Sequence, residues 1–191
     1  MYRFLLLNWN KHIQNICAKA SSTLGVLRRN MGNCPRAVKE RCYKTLVRPT
    51  VEYSSTVWDP HTSQNIEKLE GIQRRGARFV NNDFDRFANP SAMIKELGWE
   101  PLIERRAKAK AITAYKIINQ LIDIPRERFI QSNLTCTRSQ STLLIPYCRT
   151  NIYKFSYFPS AAKLWNTVPV FVRDQRTLAA FKSSLDQIQL I

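Results

Sequence analysis

Apolar residues recur at steps of three and four along most of this chain, and that spacing restricts it to packed amphipathic helices. Ile13, Ile16, Cys17, Ala20, Leu24 and Leu27 set the pattern. With 3.6 residues per turn they share one helical face, which predicts a helix over 9–30. Met31-Gly32-Asn33-Cys34 ends it, with Gly32 expected to take a left-handed cap. Pro35 suits the first turn of a second helix, where Tyr43, Leu46, Thr50, Tyr53 and Val57 continue the spacing. Pro49 interrupts that helix and is expected to kink it. Asp59-Pro60-His61-Thr62 is a turn, and Ser63 is the expected cap of a third helix. Its apolar side is Ile66, Leu69, Ile72, Gly76, Phe79 and Val80. Glu67 and Glu70 stand early on it and Arg74, Arg75 and Arg78 late, an order that complements the helix dipole.

Residues 81–90 read as a loop, and 91–97 as a short helix closed by Gly98. Glu100-Pro101 opens the longest helix after that, to about 121. Ile103, Ala107, Ala111, Ala114, Ile118 and Leu121 form its face. Residues 131–142 are polar and read as loop. Leu143-Leu144-Ile145 fits a short strand. Tyr153, Phe155 and Tyr157 alternate with Lys154 and Ser156, a period of two that fits a small hairpin or an extended wrap. Pro159 then starts a helix through Trp165, and a last one carries Leu178, Phe181, Leu185 and Ile188, capped near Thr177. The chain has only 5 Gly, which suits helices better than a turn-rich sheet. The expected fold is mainly α, six or seven helices with at most a small β-hairpin.

Charge narrows the function. Lys and Arg number 30 against 14 Asp and Glu, a formal +16. Such an excess attracts polyanions, nucleic acid first among them. Arg74, Arg75 and Arg78 fall on one helical turn, and Lys39, Arg41 and Lys44 do likewise on the second helix, so each set can meet successive phosphates. Arg105, Arg106, Lys108 and Lys110 crowd the first half of the long helix, where the dipole disfavours cations. No local structural reason explains them, so they too are candidate backbone contacts. Trp58, Trp99, Trp165, Tyr153 and Phe155 lie in apolar patterns and read as core rather than as platforms for bases.

Catalysis finds no footing. Asp59, Asp83, Asp85, Asp123, Asp174 and Asp186 include no adjacent pair able to hold two metal ions. The 2 histidines, His12 and His61, have no nucleophile in a recognisable setting. The 5 Cys, at 17, 34, 42, 136 and 148, make neither a zinc spacing nor an even set, and read as reduced thiols. The Asn133 sequon then carries no meaning. Phe4-Leu5-Leu6-Leu7 is too short for a signal core, and no window reaches about 18 apolar residues. The reading is an intracellular protein of cytoplasm or nucleus, neither secreted nor in a membrane, without catalytic, metal or cofactor residues.

Five ordered motifs carry a resemblance. They are Trp9-Asn10-Lys11-His12-Ile13 with Leu24-Gly25-Val26-Leu27-Arg28-Arg29-Asn30; Val47-Arg48-Pro49-Thr50-Val51-Glu52-Tyr53-Ser54-Ser55-Thr56-Val57-Trp58-Asp59-Pro60; Gln73-Arg74-Arg75-Gly76-Ala77-Arg78-Phe79-Val80; Leu97-Gly98-Trp99 with Glu104-Arg105-Arg106; and Arg149-Thr150-Asn151-Ile152-Tyr153-Lys154-Phe155-Ser156-Tyr157-Phe158-Pro159, running on past Trp165-Asn166-Thr167-Val168-Pro169. Together they resemble the region after the palm in reverse transcriptases of non-LTR (LINE-type, CR1- and jockey-like) retrotransposons. The resemblance implies a thumb-like helical segment over 1–82, with 1–7 an atypical start, and a helical C-terminal region over 83–191. It implies a non-catalytic part of an RNA-directed DNA polymerase that grips RNA or DNA backbone, with the absent palm as a partner. Arg138-Ser139-Gln140 stands where relatives often carry Arg-Gly-His, Ser160 where a basic residue is frequent, and Gly76 where Ala is usual, a helix cost of up to about 1 kcal/mol. These departures fit a decaying element copy. The alternatives are a protein-interaction module or a degenerate, non-functional open reading frame.

Overall fold

The computed structural model describes residues 9–131 and 142–191. The atypical start, the Asn133 sequon, Cys136 and the Arg138-Ser139-Gln140 departure lie outside them. The chain divides into two compact units, Met1–Ile103 and Glu104–Ile191. Both are helical, as the periodicity predicts, and no strand forms among the described residues.

In the first unit, α1 (Asn10–Asn30) buries Ile13, Ala20, Leu24 and Leu27. It lies against α5 (Ser63–Asn81), which also meets α2 (Arg36–Cys42) and α6 (Pro90–Glu96). Gly32 does not take the left-handed cap expected of it: α1 ends at Met31, whose N–H reaches Leu27 O, and Gly98 is the glycine with positive φ, at 62°. Gly98 closes α6 as its position predicts, and Asn89 opens α6 by accepting from Ser91 N–H and Ala92 N–H. The cap of α5 is Thr62 rather than Ser63, because Thr62 is the last residue in extended backbone.

The second helical stretch departs from its predicted face. Beyond α2 the chain makes a π turn over Tyr43–Val47, then α3 (Arg48–Glu52) and α4 (Ser55–Trp58). Arg48 N–H reaches back five residues to Tyr43 O. Pro49 supplies no N–H, and its ring crowds the carbonyl four residues back. The wider turn makes room for it, which is the kink the proline predicts. A wider turn also lengthens the step between residues on one face. The buried series is therefore Tyr43, Val47 and Val51, while Leu46, Tyr53 and Val57 of the predicted stripe are exposed.

Tyr43 stacks on Trp99, ring centroids 4.4 Å apart. Its ring also lies on Gly76, where a Cβ would come within 2.6 Å of Cδ2 and 2.9 Å of Cζ. The division read from the sequence, after residue 82, falls inside this unit. Met93, Trp99 and Leu102 belong to the same core as Ile13 and Leu69.

The long helix is α7 (Leu102–Ile118). It stops short of 121 because Gln120 turns left-handed, φ 53°, and Leu121 N–H bonds Lys116 O. The second unit also holds α8 (Arg126–Phe129), α9 (Asn151–Lys154), α10 (Tyr157–Thr167), α11 (Val170–Arg173) and α12 (Leu178–Asp186). Ala114, Tyr115 and Ile117 of α7 meet Trp165, Phe181 and Leu185 in its core. Tyr115 stacks on Phe181 at 4.3 Å and its hydroxyl donates to Gln175 O. The Tyr153–Tyr157 alternation is neither hairpin nor extended wrap. Thr150 accepts from Tyr153 N–H and nucleates α9, a local bond that outweighs the period-two pattern. Leu143-Leu144-Ile145 forms no strand beyond one bridge residue, Leu143.

Candidate nucleic-acid interface

Of the three basic clusters, the structure assembles one. Lys68, Arg74, Arg75 and Arg78 of α5 line a concavity of about 560 Å³ with Cys17, Glu67, Gly71 and Pro90. Helical spacing puts them there, since 68, 71, 75 and 78 are steps of three and four. Arg74 pairs with Glu67, two turns back. Its guanidinium passes over Gly71, where a Cβ would sit 3.6 Å from Nη2. Arg78 donates from Nη1 to Asp85 O at 2.8 Å and from Nη2 to Ala88 O at 3.2 Å, so it also ties down the loop before α6. Arg75 is exposed and makes no ion pair among the described residues. Lys68 and the Glu67–Arg74 pairing were not singled out from the sequence; the one-turn and two-turn spacings within α5 are the signal that finds them.

The second cluster does not share a solvent face. Lys39 is buried, its ammonium 5.9 Å from the centre of the Phe79 ring. Lys44 binds Glu40 at 2.6 Å. Only Arg41 is exposed. Lys39 falls on the side of α2 that meets α5, and Lys44 lies within the π turn itself. Glu40 is held below its ordinary carboxylate range, first by the hydrogen bond from Lys44 and then by that from Trp99 Nε1, which burial partly opposes.

The third cluster is corrected at three of its four residues. Arg106 is 1% exposed, and Lys108 and Lys110 are buried with it; Arg105 is half-buried. Covered cations do not face a phosphate backbone. Lys108 has a long-range partner that local sequence cannot reveal: its Nζ lies 3.8 Å from Asp186 Oδ1 on α12. Glu104, also buried, accepts from the N–H groups of Leu190 and Ile191 at 2.6 and 3.1 Å.

Other candidates fall into local roles. Asp83 and Asp85 accept the N–H groups of Asp85 and Phe87, both at 3.0 Å, as turn formers do. His12 sits between Trp9 and Trp58, ring centroids 5.8 and 5.3 Å away. Among the described residues no three His, Cys, Asp or Glu gather as metal ligands, and no helix is long and apolar enough to cross a membrane. Trp58, Trp99 and Trp165 are core, as read; Tyr153 and Phe155 are not, and lie exposed. No protein-family model, no curated protein and no solved structure matches this chain.

Proposed function

We propose that this chain holds nucleic acid by its phosphate backbone, through the basic concavity on α5. In this reading it is a non-catalytic, thumb-like and post-thumb segment of a non-LTR retrotransposon reverse transcriptase. The observation that carries the reading is the convergence of Lys68, Arg74, Arg75 and Arg78 on one concavity. The excess charge supports it: 14 acids cannot neutralise 30 bases, so at least 16 cations stay uncompensated by acidic side chains. The pairing of Arg74 with Glu67 is no obstacle. A surface pair of this kind contributes roughly 0–1 kcal/mol, and a phosphate offers Arg74 a charge-assisted bond in exchange. Gly71 leaves the floor bare, so a phosphate can approach the guanidinium closely.

A salt titration tests this. Lys68→Ala with Arg75→Ala is expected to weaken duplex binding and to make the log affinity against log salt plot shallower by about 0.9 for each phosphate no longer neutralised. Glu67→Gln releases Arg74 and is expected to tighten binding. An unchanged slope in the first variant, with unchanged affinity in both, would remove the concavity from the proposal.

A second reading has its own observation. Leu46, Tyr53 and Val57 are each exposed between the π turn and α4, with Tyr53 80% exposed. Exposed apolar side chains of this kind suit a protein partner. Association that survives nuclease treatment and disappears in Tyr53→Ser with Val57→Ser would favour it.

A further inference from the structure

We infer that the segment 144–155 of the second unit is a stacking platform for an unpaired polynucleotide strand. Two aromatic rings stand out of the fold there, Tyr147 at 91% exposed and Tyr153 at 47%, and Phe155 beside them is 38% exposed. Neither tyrosine ring contacts another aromatic among the described residues. Arg149 and Lys154 alternate with the rings and are exposed as well, and Lys154 Nζ lies 5.5 Å from the centre of the Phe155 ring. Aromatic faces interleaved with cations are what a single strand needs. Each base has a π face to stack, and each phosphate needs a positive neighbour.

The segment is fastened at both ends. Asn166 accepts Leu143 N–H at 2.8 Å and donates to Leu143 O at 2.9 Å. Leu144 N–H bonds Gln131 O at 2.8 Å. At the far end α10 follows directly, and the hydroxyl of its first residue, Tyr157, donates to Lys110 O at 3.3 Å. A platform held in place loses little freedom when a strand binds.

Charge selects the occupant. From Arg128 to Arg173 the sequence contains no Asp or Glu, and Arg149 and Lys154 of the segment itself are exposed cations. A segment with exposed cations and no acid of its own fits a polyanion. An anionic membrane fits less well. Residues 145–149 form no helix and no sheet, so most of their N–H and C=O groups would enter the bilayer unsatisfied. Amphipathic helices that lie on membranes are much longer than the single turn of α9. Unpaired bases and sugars, by contrast, offer those backbone groups polar partners. The platform is separate in sequence and in unit from the α5 concavity, so either can fail without the other.

The experiment compares Tyr147→Leu with Tyr153→Leu, combined, against the unaltered full chain by fluorescence anisotropy. The probes are a short oligouridine strand, an abasic strand of equal length, and a duplex. Leucine keeps the apolar bulk and removes the ring. Expected are tighter wild-type binding to oligouridine than to the abasic strand, and a loss in the variant of about tenfold per ring on oligouridine. The abasic strand and the duplex should hardly change. Equal wild-type affinity for the two strands, or an unchanged oligouridine affinity in the variant, overturns the platform. So does phosphatidylserine-vesicle binding that the variant abolishes while its strand binding stays intact. Both positions are on the surface, so an unchanged thermal midpoint is expected and Phe155→Leu provides a second, independent loss of ring.

Discussion

Gly76 shows how far a single residue can be judged from sequence. In a helix interior glycine looks like a fault worth up to about 1 kcal/mol. In the fold it lies directly against the Tyr43 ring, which also stacks on Trp99. Gly76→Ala is therefore expected to destabilise the protein by about 1–3 kcal/mol despite its better helix propensity. Urea denaturation would show it as a lower midpoint at constant slope. The cost should shrink when Tyr43 is changed to Leu, and equal costs in both backgrounds would mean the ring is not responsible. Glu40 is the residue to follow with pH. Its folded-state value lies below the ordinary 4.5, because Lys44 and then Trp99 donate to it. A carboxylate depressed in the folded state adds stability above its unfolded value, and that stability is lost as pH falls through the folded one. Glu40→Gln should thus be less stable than the parent near neutrality and lose less on acidification below about pH 4.5. Parallel acid limbs for the two proteins would show that these bonds contribute nothing.

At the level of elements, what was legible was what repeats. α1 and α5 bury most of the series their spacing predicts, with Ile16, Cys17 and Ile66 half-buried at its margins. The stretch from Arg36 to Glu52 is helical as read, yet its inner face was not, because the π turn at Tyr43–Val47 changes the step between residues on that face. The difference is measurable. Val51→Ala removes a fully buried side chain and should cost about 2 kcal/mol, whereas Leu46→Ala on the opposite side should stay within about 0.5 kcal/mol. The reverse ranking would restore the face read from the periodicity. α9 illustrates the other limit. The five residues from Tyr153 to Tyr157 are too few to carry a reliable period, and one hydrogen bond, accepted by the Thr150 side chain from Tyr153 N–H, opens a helical turn there instead.

For the whole molecule, two cores follow one another along the chain, Ile13 to Leu102 and Ala111 to Leu185. A fragment of 1–103 keeps the first core whole and is expected to unfold cooperatively. A fragment of 1–82 lacks Trp99 and leaves the Tyr43 ring uncovered on one face, so it should not. Circular dichroism melts of the two fragments would settle the matter, and cooperative unfolding of the shorter one would move the boundary back to 82. The sequence by itself determined the helical class, the positions of the long helices and the surplus of positive charge, because backbone hydrogen bonds, 3.6-residue periodicity and summed charge are local or additive. Only the tertiary structure decided where that charge ends up. It put Arg106, Lys108 and Lys110 inside, left Lys68 and Arg75 around a concavity, and left Tyr147 and Tyr153 in solvent. Whether a side chain meets water depends on what packs beside its helix, and on a long helix covered around much of its girth no single stripe of residues reveals that.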